Sequence, residues 1–190
     1  MTSTSLDSLF SDLLTSQQQS FATLPPVHLW KPELSGDIDI VVDREGRWIH
    51  EGGEIKRPAL VKLFASILVR EEGVYFLVTP VEKWRIRVDA APLFVIAAER
   101  EIRDGYQTIK LTTRTDDAVV LGSNHPLWIE SINASQEPLP FVMVRGNLPG
   151  LLSRNVFYQL VEWAADEAVE PVTGELFISS MGERFSLGQI

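Results

Sequence analysis

The chain has 190 residues, 45% of them hydrophobic, which suits one large domain or two small ones with a proper core. It has no cysteine, so disulfides and thiolate zinc sites are excluded. The net charge of -9 is spread unevenly: residues 26–90 hold 10 Lys and Arg against 11 Asp and Glu, while residues 91–190 hold 7 against 13. The large basic footprint that duplex nucleic acid requires is missing, and a small anion fits a local basic stripe better than a polymer does.

The opening MTSTSLDSLFSDLLTS has no basic region, and Asp7 and Asp12 interrupt its apolar positions, so it does not read as a secretory signal. Leu6, Leu9, Phe10, Leu13 and Leu14 follow helical spacing and predict a short amphipathic helix. A Gln-rich linker follows, and Pro25, Pro26 and Pro32 keep the chain extended. The longest charge-free apolar run, AAPLFVIAA at 90–98, is far short of a membrane span. With the absence of cysteine, these features point to the cytoplasm.

GDIDIVVD (36–43) and RWIHE (47–51) predict a hairpin around the turn DREG, and the GG pair at 52–53 marks another turn. The spacing of Leu60, Val61, Phe64, Ile67 and Leu68 predicts a helix over 57–70, with Pro58 in the first turn. VYFLVT (74–79) and KWRIRV (83–88) predict a strand pair turned at Pro80. Residues 89–92 read as a boundary.

Beyond it, strands are expected at 93–99, 106–112, 118–122, 126–131 and 140–145. A second helix is expected from about Pro149 to Ala165, capped by Asn147, with Leu152, Val156, Leu160 and Trp163 facing inward. A closing hairpin is expected at 174–179 and 183–188. The segments GRWIHEGGEI (46–55) and GELFISSMGERF (174–185) share a Gly, apolar strand, turn, Gly-Glu pattern, and each adjoins one predicted helix. This gives an α+β protein of two related small units with antiparallel sheets and one long helix each: a tail at 1–25, a first unit at 26–90 and a second at 91–190.

The segments at 36–92, HPL at 125–127, VRGNLPGLLSRNVFYQLVE (starting at Val144) and the closing GELF…FSLG resemble the bacterial domain of unknown function 1285. RPALVKLFAS and YFLVTPVEKWRIRVD are the most specific part of the resemblance. It covers nearly the whole chain after residue 25. The resemblance implies a duplicated α+β core, a pleckstrin-homology-like second unit, a nucleotide-like ligand in the cleft between the units, and a role in signalling. It implies no reaction and carries over no catalytic residues.

The candidate chemistry centres on EKWRIRVD (82–89). In a strand, Lys83, Arg85 and Arg87 share one face and Trp84, Ile86 and Val88 the other. Three cations along one face suit a phosphate, which guanidinium forks grip well. They also suit a solvated strand face or cross-strand pairing with Asp37 and Asp39, and these structural readings carry the greater weight. Arg57 and Arg145 each precede a predicted helix that opens with a proline, where free N–H groups attract anions. Asp39 and Asp89 are placed to orient these cations or to accept from a ribose. His125, in the turn SNHPL, completes the candidate ligand set.

No histidine spacing suits a metal, no cofactor motif occurs, and the nucleophile-elbow pattern is absent. The leading expectation is a binding or sensor protein for an anionic, nucleotide-like molecule. The alternatives are an enzyme on a phosphorylated small molecule, with His125 or an Asp as base, and an interaction module without a small ligand.

Overall fold

The computed structural model describes residues 24–132, 137–167 and 174–189. The predicted helix on Leu6 to Leu14 lies outside the described residues. The chain forms two compact units: residues up to Val41 with Arg47–Val88, and Val42–Gly46 with Asp89 onward.

In the first unit, a 3-10 turn at Val27–Leu29 precedes β1 (Gly36–Val42), β2 (Trp48–His50) and β3 (Gly53–Glu54). Helix α1 (Pro58–Ser66) follows, then β4 (Leu68–Glu71), β5 (Val74–Val78) and β6 (Lys83–Val88). The strands make one six-stranded sheet in the order β3-β2-β1-β6-β5-β4. Ser35 N–H donates to Lys83 O at one end of the β1–β6 pair, and Asp89 N–H donates to Val42 O at the other, so these two strands run parallel.

Helix α1 buries Leu60, Leu63 and Phe64, and the Phe64 ring lies 5.9 Å from that of Trp48 on β2. Burying side chains of this size stabilises by about 1.5–3 kcal/mol each.

The helix is shorter than its periodicity predicts. Ser66 Oγ turns back to donate to Leu63 O, and Leu68–Glu71 becomes a strand instead. The cause lies in the next turn. Glu72 and Gly73 both take positive φ, 49° and 83°, and join β4 to β5 in a tight hairpin that pairs Glu71 with Val74. Leu68 is buried in either conformation, so apolar spacing alone does not separate them. The turn after β5 is held by Thr79, whose Oγ1 accepts from the N–H groups of Val81 and Glu82.

The second unit contains β7 (Leu93–Arg103), β8 (Tyr106–Thr113), β9 (Ala118–Val120), β10 (Leu127–Glu130), β11 (Leu139–Arg145) and β12 (Leu148–Leu152). Helix α2 (Arg154–Glu167) and the hairpin β13 (Glu175–Ser180) and β14 (Glu183–Gln189) complete it. The six-stranded sheet runs β10-β11-β12-β7-β8-β9, with β12 and β7 parallel.

This order repeats that of the first unit. In each, two three-stranded meanders meet where the first strand of one lies parallel to the last strand of the other. The helix falls between the meanders in the first unit and after them in the second. The repeat thus resides in the six strands. The hairpins at 46–55 and 174–185, whose sequences echo each other, are not equivalent: β2 and β3 belong to a six-stranded sheet, while β13 and β14 form a sheet of their own.

The predicted helix start at Pro149 is corrected. All five residues of β12, LPGLL, are buried, and Leu152 packs as part of this strand. A strand covered on both sides reads as a continuous apolar run, which mimics a buried helix. Pro149 is tolerated because it pairs with Met143 where the β11–β12 register shifts. Gly150 is required there for space: a Cβ would stand 2.8 Å from Val144 Cγ2 and 3.3 Å from Val95 Cγ2. Helix α2 is capped by Ser153, not Asn147, with Ser153 Oγ accepting from Val156 N–H. Its buried face is Val156, Leu160 and Ala164.

The β13–β14 hairpin is tied to the sheet by buried Ser180. Its Oγ donates to Leu121 O and accepts from Ile109 N–H.

Candidate functional site

Strand register decides which side chains share the face of the basic stripe. Phe76 on β5 lies opposite Arg85 on β6 and opposite Val69 on β4, and Val78 lies opposite Lys83. Lys83, Arg85, Phe76, Val78 and Val69 therefore occupy one face. Tyr75, Leu77, Trp84 and Ile86 occupy the other, so Trp84 points away from the stripe, as the alternation predicts. Burial raises the Tyr75 phenol above its ordinary pKa, and Arg70, 5.4 Å over its ring, acts in the opposite direction. The buried Trp84 Nε1 donor has no acceptor among the described residues.

On the stripe itself, Lys83 pairs with Glu71, and its Nζ stands 4.5 Å from the Phe76 ring centroid. Arg85 Nη1 meets Asp37 Oδ1 at 3.2 Å. The cross-strand pairing expected with Asp37 is therefore present at Arg85. It does not lock the arginine: the side chains are 47% and 71% exposed, and such pairs contribute only about 0–1 kcal/mol.

Arg85, Arg87, Asp37 and Asp39 together line an open groove of about 540 Å³, floored by β1 and β6. A second groove of about 300 Å³ is lined by Trp30, Pro32, Val69, Val78, Glu71 and Lys83. Lys83 thus borders an apolar, aromatic hollow, while Arg85 and Arg87 border a charged one on the same face. Pro25, Pro26 and Pro32 predict only extended chain here, so nothing in the sequence marks Trp30 as a groove wall.

The remaining candidates are dispersed. Arg57 is the N-cap residue of α1, is exposed, and makes no side-chain cap hydrogen bond. Asp39, Arg57, Lys83, Arg85 and Arg87 belong to the first unit, and Asp89, His125 and Arg145 to the second.

Arg145 does not precede a helix. It ends β11, and its Nη1 lies 2.7 Å from Asp117 Oδ1, with side-chain exposures of 20% and 14%. Asp117 Oδ2 accepts from Thr113 and Thr115 hydroxyls at 3.1 and 2.9 Å. Burial lowers the Arg145 pKa from its ordinary value, against the opposing pull of Asp117. The helix-terminus argument for phosphate at Arg145 therefore does not hold. The signal in the sequence was TTRTDD, whose threonines and aspartates favour a self-bonded turn.

His125 Nδ1 donates to Met143 O at 2.9 Å, and the residue bridges back to Gly122. His50 Nδ1 likewise donates to a backbone carbonyl, that of Asp39. Among the described residues, no three His, Asp or Glu converge in a way that would hold a metal. No helix among them is long and apolar enough to cross a membrane.

Fold and face together define a two-unit, mostly β protein built on a repeated six-strand order. The chain belongs to the DUF1285 family: residues 25–91 match "Domain of unknown function (DUF1285), N-terminal domain", and residues 92–187 match "Protein of unknown function (DUF1285), C-terminal domain". The crystal structure of a DUF1285 family protein from Silicibacter pomeroyi DSS-3 is 39% identical, with a TM-score of 0.79, over 94% of this chain and 95% of that one. A DUF1285 family protein from Shewanella baltica OS155 is 27% identical, with a TM-score of 0.51, over 65% of this chain and 90% of that one. No curated protein matches the chain.

Proposed function

We propose that this protein is a cytoplasmic binding or sensor protein that takes a small anionic ligand on the charged face of its first sheet, with signalling as the consequence of binding. The observation that carries the reading is the groove of about 540 Å³ with Arg85 and Arg87 in its wall. Guanidinium groups match phosphoryl oxygens in geometry and charge, so a phosphoryl group is the chemistry that fits. The nucleotide-like character implied by family resemblance draws support from the second groove, where Trp30 offers an aromatic wall beside Lys83. The division at residue 90 and the pleckstrin-homology-like character of the second unit belong to the same proposal. The antiparallel meanders and the helix α2 favour that likeness; the parallel β12–β7 pair departs from it.

The test is a thermal-shift screen of nucleotides and phosphorylated metabolites on the parent protein and on Arg85→Glu/Arg87→Glu. A ligand at ~100 times its Kd adds ~2.7 kcal/mol of stability. The double variant is expected to lose that shift while its unliganded melting temperature stays close to the parent's. A second reading, in which the stripe is a structural cross-strand charge pairing and no small ligand binds there, is favoured by the Arg85–Asp37 pair. It predicts no hit in the screen, and recovery of any lost stability when the charges are swapped in Arg85→Asp/Asp37→Arg.

A further inference from the structure

Resting on the phosphoryl reading of this face, we infer that the ligand of the β1–β6 groove is a zwitterion: it carries a cationic group beside its anionic one, as a phosphorylated amine does. The groove is lined by two carboxylates, Asp37 and Asp39, as well as two guanidiniums, Arg85 and Arg87, so the formal charge of these four groups is zero. For a phosphate alone, the carboxylates offset part of the attraction of the arginines.

The arrangement of the charges is ordered. The acids alternate along β1 and the bases along β6, and the two strands run parallel as neighbours in the sheet. That places a row of negative charge beside a row of positive charge, one inter-strand step of about 4.8 Å apart. The Arg85–Asp37 contact of 3.2 Å confirms that the rows face the same side. A molecule whose ammonium and phosphoryl groups sit at the two ends of a two-carbon frame spans that step. It meets a carboxylate with one end and a guanidinium with the other.

The experiment is isothermal titration calorimetry of the full chain with inorganic phosphate, ethyl phosphate and phosphoethanolamine. The last two differ chiefly in the ammonium group. Two carboxylates each about 5 Å from that ammonium, set against two guanidiniums about 8 Å away in a water-like dielectric, leave a net preference for phosphoethanolamine of about threefold. Asp39→Asn and Asp37→Asn are each expected to shrink the preference, and the double variant to remove it while still binding ethyl phosphate. Because these residues are exposed, the variants retain the fold, checked by an unchanged urea midpoint.

Ethyl phosphate binding as tightly as phosphoethanolamine to the parent overturns the inference and leaves the anion-binding reading standing. Failure of all three probes, together with an empty nucleotide and metabolite screen, overturns that reading and the inference with it. Vesicles of phosphatidylethanolamine distinguish the two sources of the same chemistry. Co-sedimentation abolished by Arg85→Glu assigns a lipid headgroup, and soluble binding without co-sedimentation assigns a free metabolite.

Discussion

Replacing Arg145 with Met tests whether this arginine serves the structure of the second unit. The change removes a 2.7 Å charge-assisted hydrogen bond to Asp117, in a site where the two side chains are 20% and 14% exposed. Exposed ion pairs contribute about 0–1 kcal/mol, and breaking a fully buried pair costs about 3–5 kcal/mol. Asp117 keeps its bonds from Thr113 and Thr115, which limits the damage. The expected loss is therefore about 2 kcal/mol, the range of a hydrogen bond to a charged group.

Asp117→Ala removes more bonds and should cost more. The double variant should cost less than the sum of the two, with a coupling of about 1–2 kcal/mol. Urea unfolding is the assay, followed by circular dichroism and by tryptophan fluorescence, because two units need not unfold as one. For a protein of this size, about 2 kcal/mol lowers the melting temperature by roughly 4–8 °C. Full stability in Arg145→Met, or strict additivity with Asp117→Ala, would refute the structural assignment and return Arg145 to the pool of ligand-binding cations.

Three further outcomes are expected. Tyr75 has its folded-state pKa raised by burial, so its contribution is complete below the ordinary tyrosine value near 10 and is lost as pH rises beyond it; Tyr75→Phe should flatten the fall in urea midpoint between pH 9 and 11, and an unchanged slope would count against it. Gly150→Ala should cost about 1–3 kcal/mol by overpacking against Val144 and Val95, and adding Val144→Ala should recover part of it; a neutral Gly150→Ala would show that β12 has room to move. Trp84→Phe should be close to neutral, because it discards a buried N–H donor that has no acceptor among the described residues, worth about 1–3 kcal/mol, along with some apolar contact. A loss above about 2 kcal/mol would mean that the indole nitrogen is satisfied in solution.

Strands were legible in the sequence wherever alternation had one wet and one dry face. Lys83–Val88 is the clearest case, and its partner Val74–Val78 falls where turn residues predict it. The two errors have different causes. Leu148–Leu152 is an apolar run buried on every side, which erases the periodicity that separates helix from strand, whereas Leu68–Glu71 is drawn into a strand by the positive-φ turn at Glu72 and Gly73. Sheet order was out of reach, since the β1–β6 and β12–β7 pairs join residues far apart in sequence. At the site, the shared face of Lys83, Arg85 and Arg87 followed from the period of two. The partners Glu71 and Asp117 did not, because each arrives from another strand or turn and no local pattern names it.

The placement of the parallel pairs has a consequence for how the chain folds. In each unit the first and last of the six strands lie side by side at the middle of the sheet, so the central ladder joins segments about as distant as the unit allows. Hairpins such as β4–β5 close within microseconds, whereas the central pairing must wait for both meanders. The loop-closure cost grows only as the logarithm of length, about 0.6 kcal/mol per doubling, so the penalty falls on rate more than on stability. During synthesis, the apolar stretch Ile40–Val42 of β1 emerges well before β6 and stays an unpaired edge until Lys83–Val88 follows.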